Sequence, residues 1–431
     1  MRIPLSRNIR LVTVFLCFLF CGLLAVEVWA LWYLHGQAVE AGQNEWVFFQ
    51  RYALTRALFS SFASPPDVLR EHHATYIGDL DDDRLWRLFF PADVLLGWRP
   101  ARNIAATRHG KYIYATNSNG FALIGKGNFI YQKPKPPKTC RVIVIGGSTV
   151  FGAGVLSPPE NLPAQIDELL QQRQACPVTE VINAGVPLFA SGQELLYVLS
   201  ELITYSPDLV IEYGGWNDMV VHNQSLSAGI EHAPFESMFH ASLERRLNDS
   251  YTVTGNLRHL LGSVKGDSVA ALEQVGAIRV IEQLVENAKR RVFGTAEHRT
   301  IQYHPASVEY YRRNLDHLIY LGGYYGFKVA IYLQPIMGID GKVLTEEEKQ
   351  AESVMEDLQL RQVFYRDARA MFRKLRAKYA CINPNVCIED VSYAFRDIGD
   401  MVYTDSGHLT LAGNKVVARA IVDSLKTCHF F

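Results

Sequence analysis

A chain of 431 residues that is 48% hydrophobic and 11% aromatic has an ordinary globular balance and is long enough for one large or two moderate domains. With 43 Lys and Arg against 44 Asp and Glu, the formal charge is −1, which gives no electrostatic basis for nucleic acid or polyanions as partners. Recognition must therefore be local.

The first element is Leu11 to Leu34, a nearly unbroken apolar run whose only charge is Glu27. It is long enough to cross a bilayer core as a helix. Arg2, Arg7 and Arg10 precede it and no Lys or Arg follows until Arg51, so the positive-inside rule makes residues 1–10 a cytoplasmic tail and places the rest outside. Trp29, Trp32 and Tyr33 would then lie at the outer interface. A cleaved signal peptide ending near Val28-Trp29-Ala30 is the competing reading, but the run exceeds the usual h-region, which favours an uncleaved single-pass anchor.

Residues 35–135 form the next stretch, a lead-in. Gln37 to Leu88 reads as largely helical, and the Asp79/Asp81/Asp82/Asp83 cluster as a solvated face or a helix start. From Gly97 to Ile130, short aromatic and β-branched runs such as Lys111-Tyr112-Ile113-Tyr114, followed by Asn119-Gly120, predict a small hairpin. Tyr131 to Lys138 is a Pro/Lys linker, after which a larger domain, 136–427, begins.

In that domain, near-continuous apolar strands are predicted at Arg141–Ile145, Val178–Ile182, Asp208–Tyr213, Phe327–Leu333 and Val386–Val391, alternating with helical patterns. This is the signature of a parallel, doubly wound, three-layer α/β/α sheet. Ser191-Gly192-Gln193-Glu194 has the capping-box pattern at the start of one helix. The stretch between Met219 and Leu315 is too long for a connection in a compact α/β unit, and it predicts a helical insertion over about 220–315.

Outside the apolar run lie Cys140, Cys176, Cys381, Cys387 and Cys428. An oxidising compartment permits disulfides. Cys140 and Cys176 each precede a strand, and strands about 4.8 Å apart suit a bridge between them. Cys381 and Cys387 bracket a turn-like Ile382-Asn383-Pro384-Asn385-Val386, which a second bridge would close. Free buried thiols are the alternative, and no Cys-x-x-Cys spacing or matching histidines predict a zinc site.

Four short segments carry the chemistry: Gly146-Gly147-Ser148-Thr149, Asn183-Ala184-Gly185, Gly215-Trp216-Asn217-Asp218 and Asp405-Ser406-Gly407-His408. Three end apolar strands and the fourth precedes a late helix, so one sheet edge can gather them. Ser148 suits a nucleophile, His408 a base and Asp405 its orienter, with one helical turn bringing the last two together. Gly146 to Gly154 lacks the Gly-Lys-[Ser/Thr] ending of a phosphate loop. A metal would need a third ligand beside Asp405 and His408, so no metal and no cofactor are expected.

In this order, the four segments resemble the SGNH (GDSL-type) hydrolase superfamily over roughly Pro136 to Leu425, with Gly147 where many members carry aspartate. Asp93-Val94-Leu95-Leu96-Gly97-Trp98 through Thr116-Asn117-Ser118-Asn119-Gly120-Phe121 also resembles the lead-in of some bacterial members. The resemblance implies a flavodoxin-like sheet, the triad Ser148, Asp405 and His408, and oxyanion donors from the Ser148 and Gly185 amides and the Asn217 side chain. It implies a serine esterase acting on acyl or acetyl esters, and the anchor directs attention to an envelope glycan or lipid. O-acyl transfer by the same triad, or a catalytically silent envelope binding or assembly protein, are the alternatives. Asp218 reads as structural, Gln334 as a turn residue near the substrate, and Trp216 equally as a sugar contact or a packing residue.

Overall fold

The computed structural model describes residues 25–36, 75–81, 83–93, 95–125, 130–174, 176–227, 301–352, 358–380 and 382–430. The chain divides into two compact units: Met1–Pro66 with His109–Lys111 and Leu243–Arg299, and Asp67–Arg108 with Tyr112–Ser242 and Thr300–Phe431. In the first unit, residues 25–36 are helical, and the rings of Trp29 and Tyr33 stack at 5.9 Å. Among the described residues no helix is long and apolar enough to cross a membrane; the first part of the expected span, 11–24, lies outside them.

The second unit opens with the lead-in: β1 (Thr75–Asp79), α1 (Asp83–Phe89), β2 (Ala92–Asp93), β3 (Gly97–Trp98), β4 (Ile104–Arg108) and β5 (Tyr112–Ala115). β1 pairs parallel to β4, β4 antiparallel to β5, and β2 with β3. The largely helical reading of Gln37–Leu88 fails at β1, where Thr75-Tyr76-Ile77 has the branched and aromatic side chains that favour a strand. Residues 37–74 lie outside the description. Asp79 is not on a solvated face: it is buried, accepting from Asp81 N and Thr107 Oγ1.

The aromatic core of this part, Phe89, Phe90 and Tyr114, closes on Phe151, with ring centroids 6.1, 5.5 and 5.3 Å away. Nor is Tyr131 to Lys138 a free linker. Tyr131 is buried and donates its hydroxyl to Val181 O at 2.6 Å, and Lys133 sits 3.7 Å over the Tyr205 ring.

Five parallel strands make the main sheet: β6 (Thr139–Gly146), β7 (Val178–Asn183), β8 (Leu209–Gly214), β9 (Lys328–Leu333) and β10 (Val386–Asp390). Their spatial order is β7-β6-β8-β9-β10, the flavodoxin-like order with its reversal between β6 and β8. Side chains alternate as a pleat requires. Ile143, Ile145, Val210, Val329 and Ile331 enter one core, while Val142, Val144, Ile211 and Ala330 enter the other. Truncating Ile143, Ile145, Ile211 or Ile331 to alanine costs about 2–5 kcal/mol.

The helices are α2 (Ser148–Phe151), α3 (Leu162–Gln172), α4 (Ser191–Ser200), α5 (Trp216–Ser227), α6 (Ala306–Tyr325), α7 (Glu346–Glu352), α8 (Leu358–Ala380) and α9 (Leu411–Thr427). Tyr197, Val198, Leu315 and Phe364 of α4, α6 and α8 join the first core. Ile166, Leu170, Val417 and Ile421 of α3 and α9 join the second. The predicted insertion is correspondingly narrower at its ends, because α5 runs to Ser227 and α6 starts at Ala306 with Leu315 in the core. Its middle, 228–300, lies outside the described residues.

Cys140 and Cys176 are bonded, with Cα atoms 6.0 Å apart. The second bridge differs from the expected Cys381–Cys387 pair: Cys387 is bonded to Cys428, at a Cα separation of 5.9 Å. The pleat turns Cys387 toward the core that α9 covers, and α9 ends by placing Cys428 there. Cys381 lies outside the described residues.

Candidate active site

β6 ends at Gly146, whose backbone leaves no room for a side chain, and Gly147 follows with the Asn217 amide packed against it. A Cβ on Gly146, whose φ is 157°, would lie 2.5 Å from Tyr213 O; one on Gly147 would lie 2.2 Å from Asn217 Nδ2. With no side chain at Gly147, the Asn217 amide packs directly over it, beside the nucleophile. Ser148 follows at once and opens α2, so its own amide has no acceptor within the helix and remains a donor for a ligand oxygen.

Ser148 Oγ donates to His408 Nε2 at 2.7 Å, and His408 Nδ1 donates to Asp405 Oδ2 at 2.6 Å. The expected helical turn between the last two residues is absent, because α9 begins only at Leu411. Instead, Asp405 Oδ1 accepts from the amides of Gly407 at 3.0 Å and His408 at 2.9 Å, bending the chain around the carboxylate. Burial raises the Asp405 pKa, but the hydrogen bond and charge of His408 and those two amides outweigh it and hold this half-exposed carboxyl well below the usual range.

Supports on both sides fix this loop. Glu348 Oε1 accepts from the amides of Val402 at 2.9 Å and Tyr403 at 3.1 Å, while its Oε2 accepts from Lys342 Nζ at 2.8 Å, both side chains being fully buried. Ser406 O accepts from Met337 N at 3.0 Å. Trp216 packs across Gly407, where a Cβ would meet the ring at 2.3 Å, and its ring centroid is 5.2 Å from that of His408. Trp216 is thus a packing residue for the imidazole.

Asn217, at the start of α5, donates one Nδ2 proton to Phe189 O at 2.7 Å, leaving the other above Gly147. Gly185, expected as a third oxyanion donor, has its amide already engaged. Its amide donates to Asn183 Oδ1 at 3.0 Å, and its Cα packs under α2, where a Cβ would be 2.4 Å from Phe151 N. Asn183 also donates to Val150 O at 2.9 Å, so this pair clamps the helix that carries Ser148 rather than facing a ligand. Leu188, three residues on, adopts a left-handed φ of 69° and is exposed.

Asp218 is buried and structural, as read. It accepts from Ser191 Oγ at 2.5 Å and faces His222 Nε2 at 3.0 Å. Ser191 is therefore not the cap of α4. That position belongs to Ala190, whose amide donates to Gln193 Oε1 at 3.4 Å, one residue earlier than the motif suggested. Behind Asp218, Glu194 and Glu212 are buried. Burial first, then the neighbouring carboxylates, raises both pKa values well above the usual range. Gln334 is buried at the end of β9 with its Oε1 3.5 Å from Thr149 Oγ1. Among the described residues no group of three His, Cys, Asp or Glu is arranged to hold a metal ion.

Phe189 and Glu348 were not singled out from the sequence, and Asn183 was named only within its segment, without a role. Asn183 had a signal, an amide at the apolar end of a strand; a carbonyl acceptor such as Phe189 O has none.

No family model and no curated protein matches this chain. Among solved structures, a putative lipolytic protein of the G-D-S-L family from Desulfitobacterium hafniense shares 10% identity over 66% of this chain and 99% of its own, with a TM-score of 0.36. The lipase/acylhydrolase from Enterococcus faecalis shares 13% over 67% and 96%, also at 0.36. The acetyl xylan esterase AlAXEase shares 12% over 66% and 99%, at 0.36. The chain is similar to GDSL-type hydrolases. At these values the chemistry is read from the site itself.

Proposed function

We propose that the protein is a serine esterase of the SGNH type that cleaves acyl esters. The observation that carries this is the continuous line from Ser148 Oγ through His408 to Asp405, at 2.7 and 2.6 Å, beside an asparagine amide and a free helix-opening amide. Ser148 Oγ attacks the acyl carbonyl carbon while its proton passes to His408 Nε2. The carbonyl oxygen becomes an oxyanion held by Ser148 N–H and Asn217 Nδ2–H. Collapse breaks the ester C–O bond, and His408 gives its proton to the leaving alkoxide, so an acyl-Ser148 and an alcohol result. Water then repeats the sequence, with His408 taking its proton, and releases the carboxylic acid. A sugar hydroxyl in place of that water would make the same site an O-acyltransferase.

The location proposed is extracytoplasmic, tethered by the Leu11–Leu34 run. Support comes from the arginines confined to its N-terminal side and from two disulfides, which belong to oxidising compartments. The substrate proposed is an acylated envelope glycan or lipid. Labelling of Ser148 by a fluorophosphonate, abolished in His408→Ala, tests the reaction class; an unlabelled, folded wild-type chain would overturn it.

A further inference from the structure

The loop after β7 that carries Phe189 is held from outside the main sheet. Trp98 of β3 donates from its indole Nε1 to Pro187 O at 3.1 Å, and its ring meets Phe189 edge-on at 5.7 Å. Gln193 joins the same two parts, donating Nε2 to Leu96 O at 3.0 Å and accepting at Oε1 from Ala190 N at 3.4 Å. Between these ties lies Leu188 with φ at 69°, a conformation that leucine resists and that persists only where neighbours impose it. Phe189 O, in the middle of the held segment, accepts from Asn217 Nδ2.

We propose that Trp98 is a positioning residue for the oxyanion donor Asn217, acting through the 186–190 loop; the inference rests on the esterase reading above. The indole N–H fixes the Pro187 carbonyl and the ring confines Phe189. The Phe189 carbonyl then takes one proton of the Asn217 amide and sets the direction of the other. The lead-in is thereby part of the catalytic apparatus rather than a spacer. Because the oxyanion forms only along the reaction path, a misdirected donor lowers kcat and leaves KM in place.

The test uses the full chain and a short-chain aryl acetate. Trp98→Phe keeps an aromatic ring against Phe189 while removing the indole donor and the second ring of the bicycle. It is expected to lower kcat by between about 5- and 100-fold with KM within twofold, the range set by a small displacement of one oxyanion donor. In an Asn217→Ala background the same change should produce no further loss, since the group it positions is gone. A loss that multiplies with Asn217→Ala, falls on KM, or is absent would overturn the proposal. Should Trp98→Phe not fold, Gln193→Met removes the parallel tie and is judged by the same cycle. Ser148→Ala separates the two levels: retained activity there defeats the esterase reading, whereas a dead Ser148→Ala with a multiplicative Trp98→Phe defeats only the role of Trp98.

Discussion

Ser148 and His408 are 260 residues apart in sequence and 2.7 Å apart in space. The contact depends on two independent pieces of construction. The Gly146-Gly147 turn exposes the hydroxyl at the end of β6, and the Asp405 carboxylate bends residues 405–408 so that the imidazole faces it. Removing either reactive group should be decisive. Ser148→Ala and His408→Ala are each expected to abolish aryl-ester hydrolysis while thermal unfolding stays within a few degrees of wild type. Asp405→Asn keeps the shape but loses the charge behind the imidazole, and should lower kcat by up to about 10⁴-fold. Since His408 and the two amides hold the Asp405 pKa below the usual carboxylate range, Asp405 stays ionised through the ordinary carboxylate range and contributes no acid limb there.

The buried pair Glu194 and Glu212 gives the stability a pH dependence of definite sign. Burial, followed by the charges of neighbouring carboxylates, raises both groups, so the folded chain binds more protons than the unfolded one. Their contribution is complete below the unfolded carboxylate value of about 4.3 and is lost as pH rises toward the raised folded values. Denaturant midpoints should therefore fall with increasing pH across that window. Glu212→Gln, which retains a partner for the Tyr311 hydroxyl, should flatten the slope. A slope identical to wild type would show that Glu212 is not the titrating group.

The elements that the sequence disclosed are those set by local pattern. All five strands of the main sheet lie within a few residues of their predicted bounds, because buried parallel strands are short apolar runs between turn residues. Their order was not derivable from pattern alone; it came with the resemblance. Ser148, Asn217, Asp405 and His408 were legible because four short segments occur in one order, two of them after apolar strands and one before the last helix, although each segment alone would suit a turn or a cap. Gly185 was less legible. A glycine after a strand suits a ligand amide or a close helix contact equally well, and here the contact with Phe151 wins. Within the lead-in the expected hairpin strand at Tyr112 to Tyr114 is present as β5, paired antiparallel with β4, and Thr116 bridges Ala122 across Asn119-Gly120, whereas β1, which ends in the buried Asp79, and the packing on Phe151 are tertiary information.

Disulfide connectivity offers an independent check. Peptide mapping without reduction should recover Cys140 joined to Cys176 and Cys387 joined to Cys428. The second bridge ties β10 to the end of α9 across a loop of about 40 residues, for which the chain-entropy model gives a stabilisation of roughly 4 kcal/mol. Cys428→Ser should accordingly lower the unfolding temperature in non-reducing buffer and have little effect under reducing conditions. A peptide joining Cys387 to Cys381 would restore the local pairing read from the sequence.

Asn217 and Gly185 separate catalytic from structural loss within the same edge of the sheet. Asn217→Ala removes a side-chain donor that is tied to the loop carbonyl Phe189 O, so the chain should fold normally while kcat falls by about 100- to 1000-fold and KM moves little. Gly185→Ala acts on the fold instead. Its Cβ would lie 2.4 Å from Phe151 N and 2.8 Å from the Val150 carbonyl carbon, and backbone at that distance can yield only by shifting α2 and Ser148 with it. Unfolding temperature and activity should therefore fall together in Gly185→Ala. A variant of normal stability that has lost kcat alone would return Gly185 to the oxyanion hole, and the Asn183 contact would then have to open when substrate binds.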